Sequence, residues 1–226
     1  GKAKADRLAI AQNPVAVDPA FFCVFEVIIN DKLVGGGDDS IVNNSAGKIY
    51  MEDSYISMGY SEGSTNSFLN NGKLFANGSG NTIDMNVGTF TNNGSSIHME
   101  DGDTNDSLTI IGNFAGTGHL VVDANGTTML ADRLYIDGNV VAGTANVVDV
   151  VMASGPSVTA MLDGDVINIV DVTGTSAVGN FTTGVISIAQ DELYTVQGGI
   201  VKNGGNFDLA FAVTGLSANG ILASSV

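Results

Sequence analysis

An aromatic residue, then Asn and Gly, then a short alternating apolar run recurs along this chain. Residues 68–77 read FLNNGKLFAN, residues 90–100 read FTNNGSSIHME and residues 113–123 read NFAGTGHLVVD. Phe68, Phe90 and Phe114 are thereby spaced by 22 and 24 residues. The next unit fits as well: IIGNFAGTG at 110–118 is echoed by YIDGNVVAGTA at 135–145, with Gly138 and Asn139 following Gly112 and Asn113 at 26 residues and Val140 standing where Phe114 stood. SIVNNSAGKIYM at 40–51 is a weaker early copy. Self-similarity at a period of 20 to 50 residues is the mark of a solenoid, because each unit is a structural module that cannot bury its apolar face alone.

Each unit holds a second alternating run: NTIDMNV at 81–87, DSLTII at 106–111 and DRLYID at 132–137. Two or three strands of about five residues joined by tight corners make one coil of a parallel β-helix. Gly, and less readily Asn, tolerate the positive φ that a corner demands. The expected fold is therefore all-β, a right-handed single-stranded parallel β-helix with a C-terminal β-hairpin cap. Alternation places Phe68, Phe90, Phe114, Leu120, Val122, Leu134, Ile136, Ile167, Ile169 and Phe181 in the core. Phe90, Ile97 and Met99 should stack above Leu74 and below Leu120 and Val122 as ladders. A buried aliphatic or aromatic side chain contributes about 1.5 to 3 kcal/mol. One coil alone cannot offset the entropy of ordering itself, so stability is cooperative between coils. A β-sandwich would also use Gly-Asn turns but gives no reason for the likeness between units.

Open solenoid ends expose unpaired strand edges and need covering. From Gly155 the spacing changes, and larger aromatics (Phe181, Tyr194, Phe207, Phe211) enter what read as hairpin-like strands. FFCVFEVII at 21–29 reads as a covering strand at the other end. The expected organisation is an N-terminal segment and cap candidate over 1–39, β-helix coils over 40–155, C-terminal coils and cap over 156–213, and a tail or linker over 214–226.

The order GNFAGTGHLVVD, DRLYIDGNVVAGTANVVDV, DGDVINIVDVTGTSAVGNF and ELYTVQGGIVKNGGNFDLAF closely resembles the pertactin-like C-terminal region of type V autotransporter passengers over about residues 110–213. Asp132, Arg133, Leu134 and Ile136 match the family's DRLVI coil. Gly164, Asp165, Ile167 and Ile169 match its GD-I-LV strand, and Phe181 matches the phenylalanine after SA-G. The resemblance implies a β-helix displayed on or released from the surface of a Gram-negative bacterium. Its last coils would act as an autochaperone, and an outer-membrane translocator barrel would lie in the parent chain. This chain departs from the family in closing on Phe207, Asp208 and Leu209, with no tryptophan anywhere.

Composition narrows the function. The net charge of −16 from 24 acidic and 8 basic residues argues against binding a nucleic-acid backbone. Cys23 stands alone, so no internal disulfide framework exists. AFFCVFEVII at 20–29 is too short to cross a bilayer as a helix, and the opening GKAKADRLAIAQ lacks the apolar centre of a signal peptide. His98 and His119 fall between inward positions and are expected at the surface, outside zinc-site spacing. GTSAVG at 174–179 lacks the sequence context of a serine-protease nucleophile and reads as a turn. MEDGDTNDS at 99–107 offers Asp101, Asp103 and Asp106 as calcium ligands but lacks the EF-hand spacing and the tandem repetition of RTX nonapeptides.

The expectation is a non-enzymatic surface or secreted stem and folding nucleus, with no catalytic residues, metal or cofactor. Its wider role would be adhesion to a surface ligand or self-association. The alternatives are a carbohydrate-active β-helix enzyme and a calcium-dependent surface-layer or RTX-like binder.

Overall fold

The computed structural model describes residues 7–11, 15–16, 20–23, 26–30, 32–35, 38–59, 65–157, 163–187 and 194–216. The chain winds as a parallel β-solenoid whose coils contribute to three faces. On the first face, β1 (Arg7–Ala11), β4 (Glu26–Asn30), β7 (Lys48–Glu52), β10 (Lys73–Asn77), β12 (Ser96–His98), β14 (His119–Asn125), β17 (Asn146–Ser154) and β19 (Phe181–Ser187) lie side by side in that order. The second face carries β2 (Val15–Ala16), β5 (Lys32–Val34), β8 (Tyr55–Ser57), the start of β11 (Asn81–Asn92), the start of β13 (Ser107–Gly116), β16 (Arg133–Asp137) and β18 (Val166–Val172). The third carries β3 (Ala20–Cys23), β6 (Ser40–Asn43), β9 (Ser67–Asn70) and the far halves of β11 and β13. β11 turns the corner between two faces at a register shift, where Asn86 sits at φ 51° and Gly88 lies against the Asn66 backbone.

Register makes the ladders. Phe68, Phe90 and Phe114 are direct partners on the third face. Their rings follow one another at centroid spacings of 4.8 and 5.6 Å. Val140 pairs with Phe114, as the repeat predicts. On the second face Leu33, Ile56, Ile83, Ile110, Ile136 and Val172 form one column, and on the first Ile49, Leu74, Ile97, Leu120 and Val148 form another. All of these are buried in one continuous core, together with Met99, Val122, Leu134, Ile167, Ile169 and Phe181.

The asparagines of the repeat do something the sequence reading assigned to corner geometry. Asn43, Asn70, Asn92 and Asn146 are fully buried, and none has positive φ. Their amides form a ladder: Asn43 Nδ2 donates to Asn70 Oδ1 (2.7 Å), Asn70 Nδ2 to Asn92 Oδ1 (3.0 Å) and Asn92 Nδ2 to Asn146 Oδ1 (3.0 Å). Each amide also donates to a backbone carbonyl, and of the ladder's side-chain oxygens Asn43 Oδ1, at its N-terminal end, is left without a partner. The gap of 54 residues between Asn92 and Asn146 spans a coil in which Gly116 pairs with Asn92. With φ +112° and no side chain, Gly116 leaves the two amides room to meet.

The two ends differ from the sequence reading. FFCVFEVII is not a covering strand: β3 and β4 pair in parallel with β6 and β7 as successive turns of the solenoid. At the other end the solenoid continues past Gly155, because β18 and β19 still pair in parallel with β16 and β17. There β20 (Tyr194–Asn203) and β21 (Asn206–Leu216) form a long antiparallel hairpin, with β21 pairing along β18. Phe181 stacks 5.8 Å from Phe114, and Phe207 meets Phe181 edge-on at 4.9 Å, so the hairpin ends the phenylalanine column. A short strand, β15 (Leu130–Ala131), folds back on β14. Beyond Leu216 the expected tail lies outside the described residues.

Candidate functional site

Side chains on the outer side of a strand point the same way at every second residue. On β12 and its continuation these are Ser96, His98 and Glu100. The Ser96 Oγ–H donates to His98 Nε2 at 2.7 Å, and His98 Nδ1–H donates to Glu100 Oε1 at 2.6 Å. The carboxylate on Nδ1 fixes the proton there and leaves Nε2 as the acceptor facing the hydroxyl. A hydroxyl, an imidazole and a carboxylate linked through these two nitrogens have the connectivity of the acyl-transfer triad, which is recognised by geometry and not by chain order.

The imidazole is held on more than its hydrogen bonds. Register places His98 above Phe75, which lies above Tyr50. The three rings stack along the outside of the solenoid at centroid distances of 4.6 and 4.9 Å and interplanar angles of 6° and 20°. His98 is outward, as the alternation predicts, but its side chain is only 13% exposed because this stack covers it. Glu100 commits one oxygen to His98 and leaves Oε2 buried without a hydrogen-bond partner. A buried unpaired carboxylate oxygen is a cost that packing alone does not require.

Around this set lies an open depression of about 420 Å³. Lys73, the direct partner of Ser96 on β10, and His119, its partner on β14, both line it. His119 is half exposed and its Nδ1 meets Asp149 Oδ2 at 2.6 Å. The rest of the wall includes Gly94, Ser95 and Asn71, with Val121 the only aliphatic member among the described residues. A second depression of about 360 Å³ lies beyond the aromatic stack, walled by Glu52, Asp53, Asp101 and Asp103.

The calcium-like loop is used for a corner. Asp101 Oδ1 accepts the Asp103 N–H, and Asp106 turns inward so that its Oδ1 accepts the Gly78 N–H. Behind it, Asp132 is wholly buried, its two oxygens taking the N–H groups of Asp106 and Asp123. Among the described residues no three His, Cys, Asp or Glu side chains are grouped to hold a metal ion.

The core residues named from the sequence are brought together in one interior, and none reaches this outer face. The sequence reading placed His98 at the surface and missed its bonds to Ser96 and Glu100; the S-x-H-x-E spacing on an outward strand face was the signal, and the Phe75 stack that holds the ring emerges only from register. Comparison with protein-family models, with curated proteins and with solved structures finds no match to this chain.

Proposed function

We propose that this chain is the stem of a surface-displayed or secreted β-helical protein of the autotransporter type, and that its C-terminal coils are the nucleus on which the rest folds. The observation that carries this reading is the closed C-terminal end. There the antiparallel hairpin pairs with β18 and ends the phenylalanine column at Phe207, which gives the neighbouring coil a finished surface on which to form. A coil elsewhere lacks that support until its neighbour exists. In the parent chain the partners would be an outer-membrane translocator barrel and a surface ligand or a second copy. The acidic surface keeps such a rod soluble through mutual repulsion.

Hydrogen exchange read by mass spectrometry tests the nucleus. Amides of β16, β18 and β21 should be the last to exchange as urea is raised, with protection lost progressively toward β4. Protection that outlasts them in the N-terminal coils would overturn the reading. Fractionation of the native host, with the chain found only in the cytoplasm, would remove the surface assignment.

A further inference from the structure

We propose that Ser96, His98 and Glu100 form a working acyl-transfer triad that hydrolyses short-chain esters. This goes beyond the stem role and departs from the expectation of a non-enzymatic module. The argument is geometric. The nucleophile and base are within hydrogen-bond reach, and the base is oriented by a third group. The imidazole is held by ring stacking on Phe75. The hydroxyl opens onto a depression rather than into the core. Lys73, one coil away in register and lining the same depression, supplies a cation where an oxyanion would develop.

In the first step Ser96 Oγ bonds to the acyl carbon while its proton passes to His98 Nε2. The bond from that carbon to the alcohol oxygen then breaks, and Nε2 returns the proton to the departing alcohol. Water, deprotonated in turn by Nε2, attacks acyl-Ser96 and releases the carboxylic acid with the serine hydroxyl restored. Glu100 balances the imidazolium in both steps. Val121 is the single aliphatic side chain among the described residues of the wall, so no row of apolar side chains is there to hold a long acyl chain, which points to a short acyl group.

The experiment treats the whole chain with a fluorophosphonate, locates any adduct by mass spectrometry, and follows p-nitrophenyl acetate hydrolysis in parallel. The expected result is one adduct, on Ser96, and hydrolysis above the chemical background. Ser96→Ala should abolish both, and His98→Gln should slow both about a hundredfold. Glu100→Gln keeps the ring stack and the shape of the site. It should slow both at least tenfold while the circular dichroism spectrum and melting temperature stay those of the parent, a split that a purely structural role would not give. Absence of an adduct, an adduct on another serine, or wild-type rates in Glu100→Gln would each overturn the triad. Faster hydrolysis of the octanoate than of the acetate would overturn the short-acyl assignment.

Discussion

Gly116 sits where a side chain cannot. Its φ of +112° is open to glycine, and a Cβ there would collide with the Asn92 backbone and shift the Gly116 carbonyl that accepts from Asn146 Nδ2. Gly116→Ala should therefore lower stability by about 2 to 4 kcal/mol in urea unfolding, combining backbone strain with lost buried hydrogen bonds. A change under 0.5 kcal/mol would show that the ladder does not run through this gap. Asp132 makes a different prediction. Burial above all, then repulsion from Asp106 and Asp123, pushes its carboxyl up to about 8 against the backbone N–H groups it accepts. Burial, with Asp101, Asp103 and Asp123 nearby, raises Asp106 to about 6 despite its bond from Gly78. An unfolded aspartate titrates at about 3.9. Between that value and these raised ones the folded state keeps protons the unfolded chain has released, so stability is greatest at the acid end and falls as pH rises through 6 and then 8. The melting temperature should drop from pH 5 to pH 8.5, and Asp132→Asn should flatten most of that slope whatever its own melting point. A parent protein with no slope would refute the assignment.

Strands are where the sequence spoke most clearly. The Phe68, Phe90, Phe114 and Val140 succession was readable because one aromatic position per unit preceded an Asn-Gly corner at nearly constant spacing, and a shared column is the only place such residues can all be buried. The same letters hid the asparagine ladder, since a corner Asn serves either backbone conformation or side-chain pairing, and sequence does not separate the two. The change of spacing at Gly155 and the larger aromatics after it suggested hairpin-like strands within the expected coils and cap, whereas β18 and β19 are still parallel coils and the hairpin begins at β20. Phe181 is large because it extends the interior column, and its size marks no change of topology. β16 tests the inward face directly. Leu134 and Ile136 are buried, with 0% and 1% exposure. Leu134→Asp or Ile136→Asp should leave no soluble folded protein, because a charge buried without a partner costs more than the whole fold can absorb. His119→Ala removes a half-exposed side chain and its contact with Asp149 and should shift stability by no more than about 1 kcal/mol. The outer set of Ser96, His98 and Glu100 lay beyond this kind of reading, because its cohesion depends on a ring contributed by the strand before.

The described coils form a stack that the β20–β21 hairpin closes at its C-terminal side. Phe207 is fully buried against Phe181, so Phe207→Ala should cost about 3 to 5 kcal/mol. The loss should appear first as faster hydrogen exchange in β18 and only later in the distant coils. Uniform acceleration through every coil would mean that the rod melts as one unit and not outward from its closed end. The backbone bonds joining one coil to the next run along the axis of the rod and not across it. Tension applied between the two ends would therefore load those bonds a single turn at a time, as a zip is opened, each yielding turn paying out about 80 to 90 Å of extended chain. Pulled between its ends, such a stack should lengthen in steps of one turn.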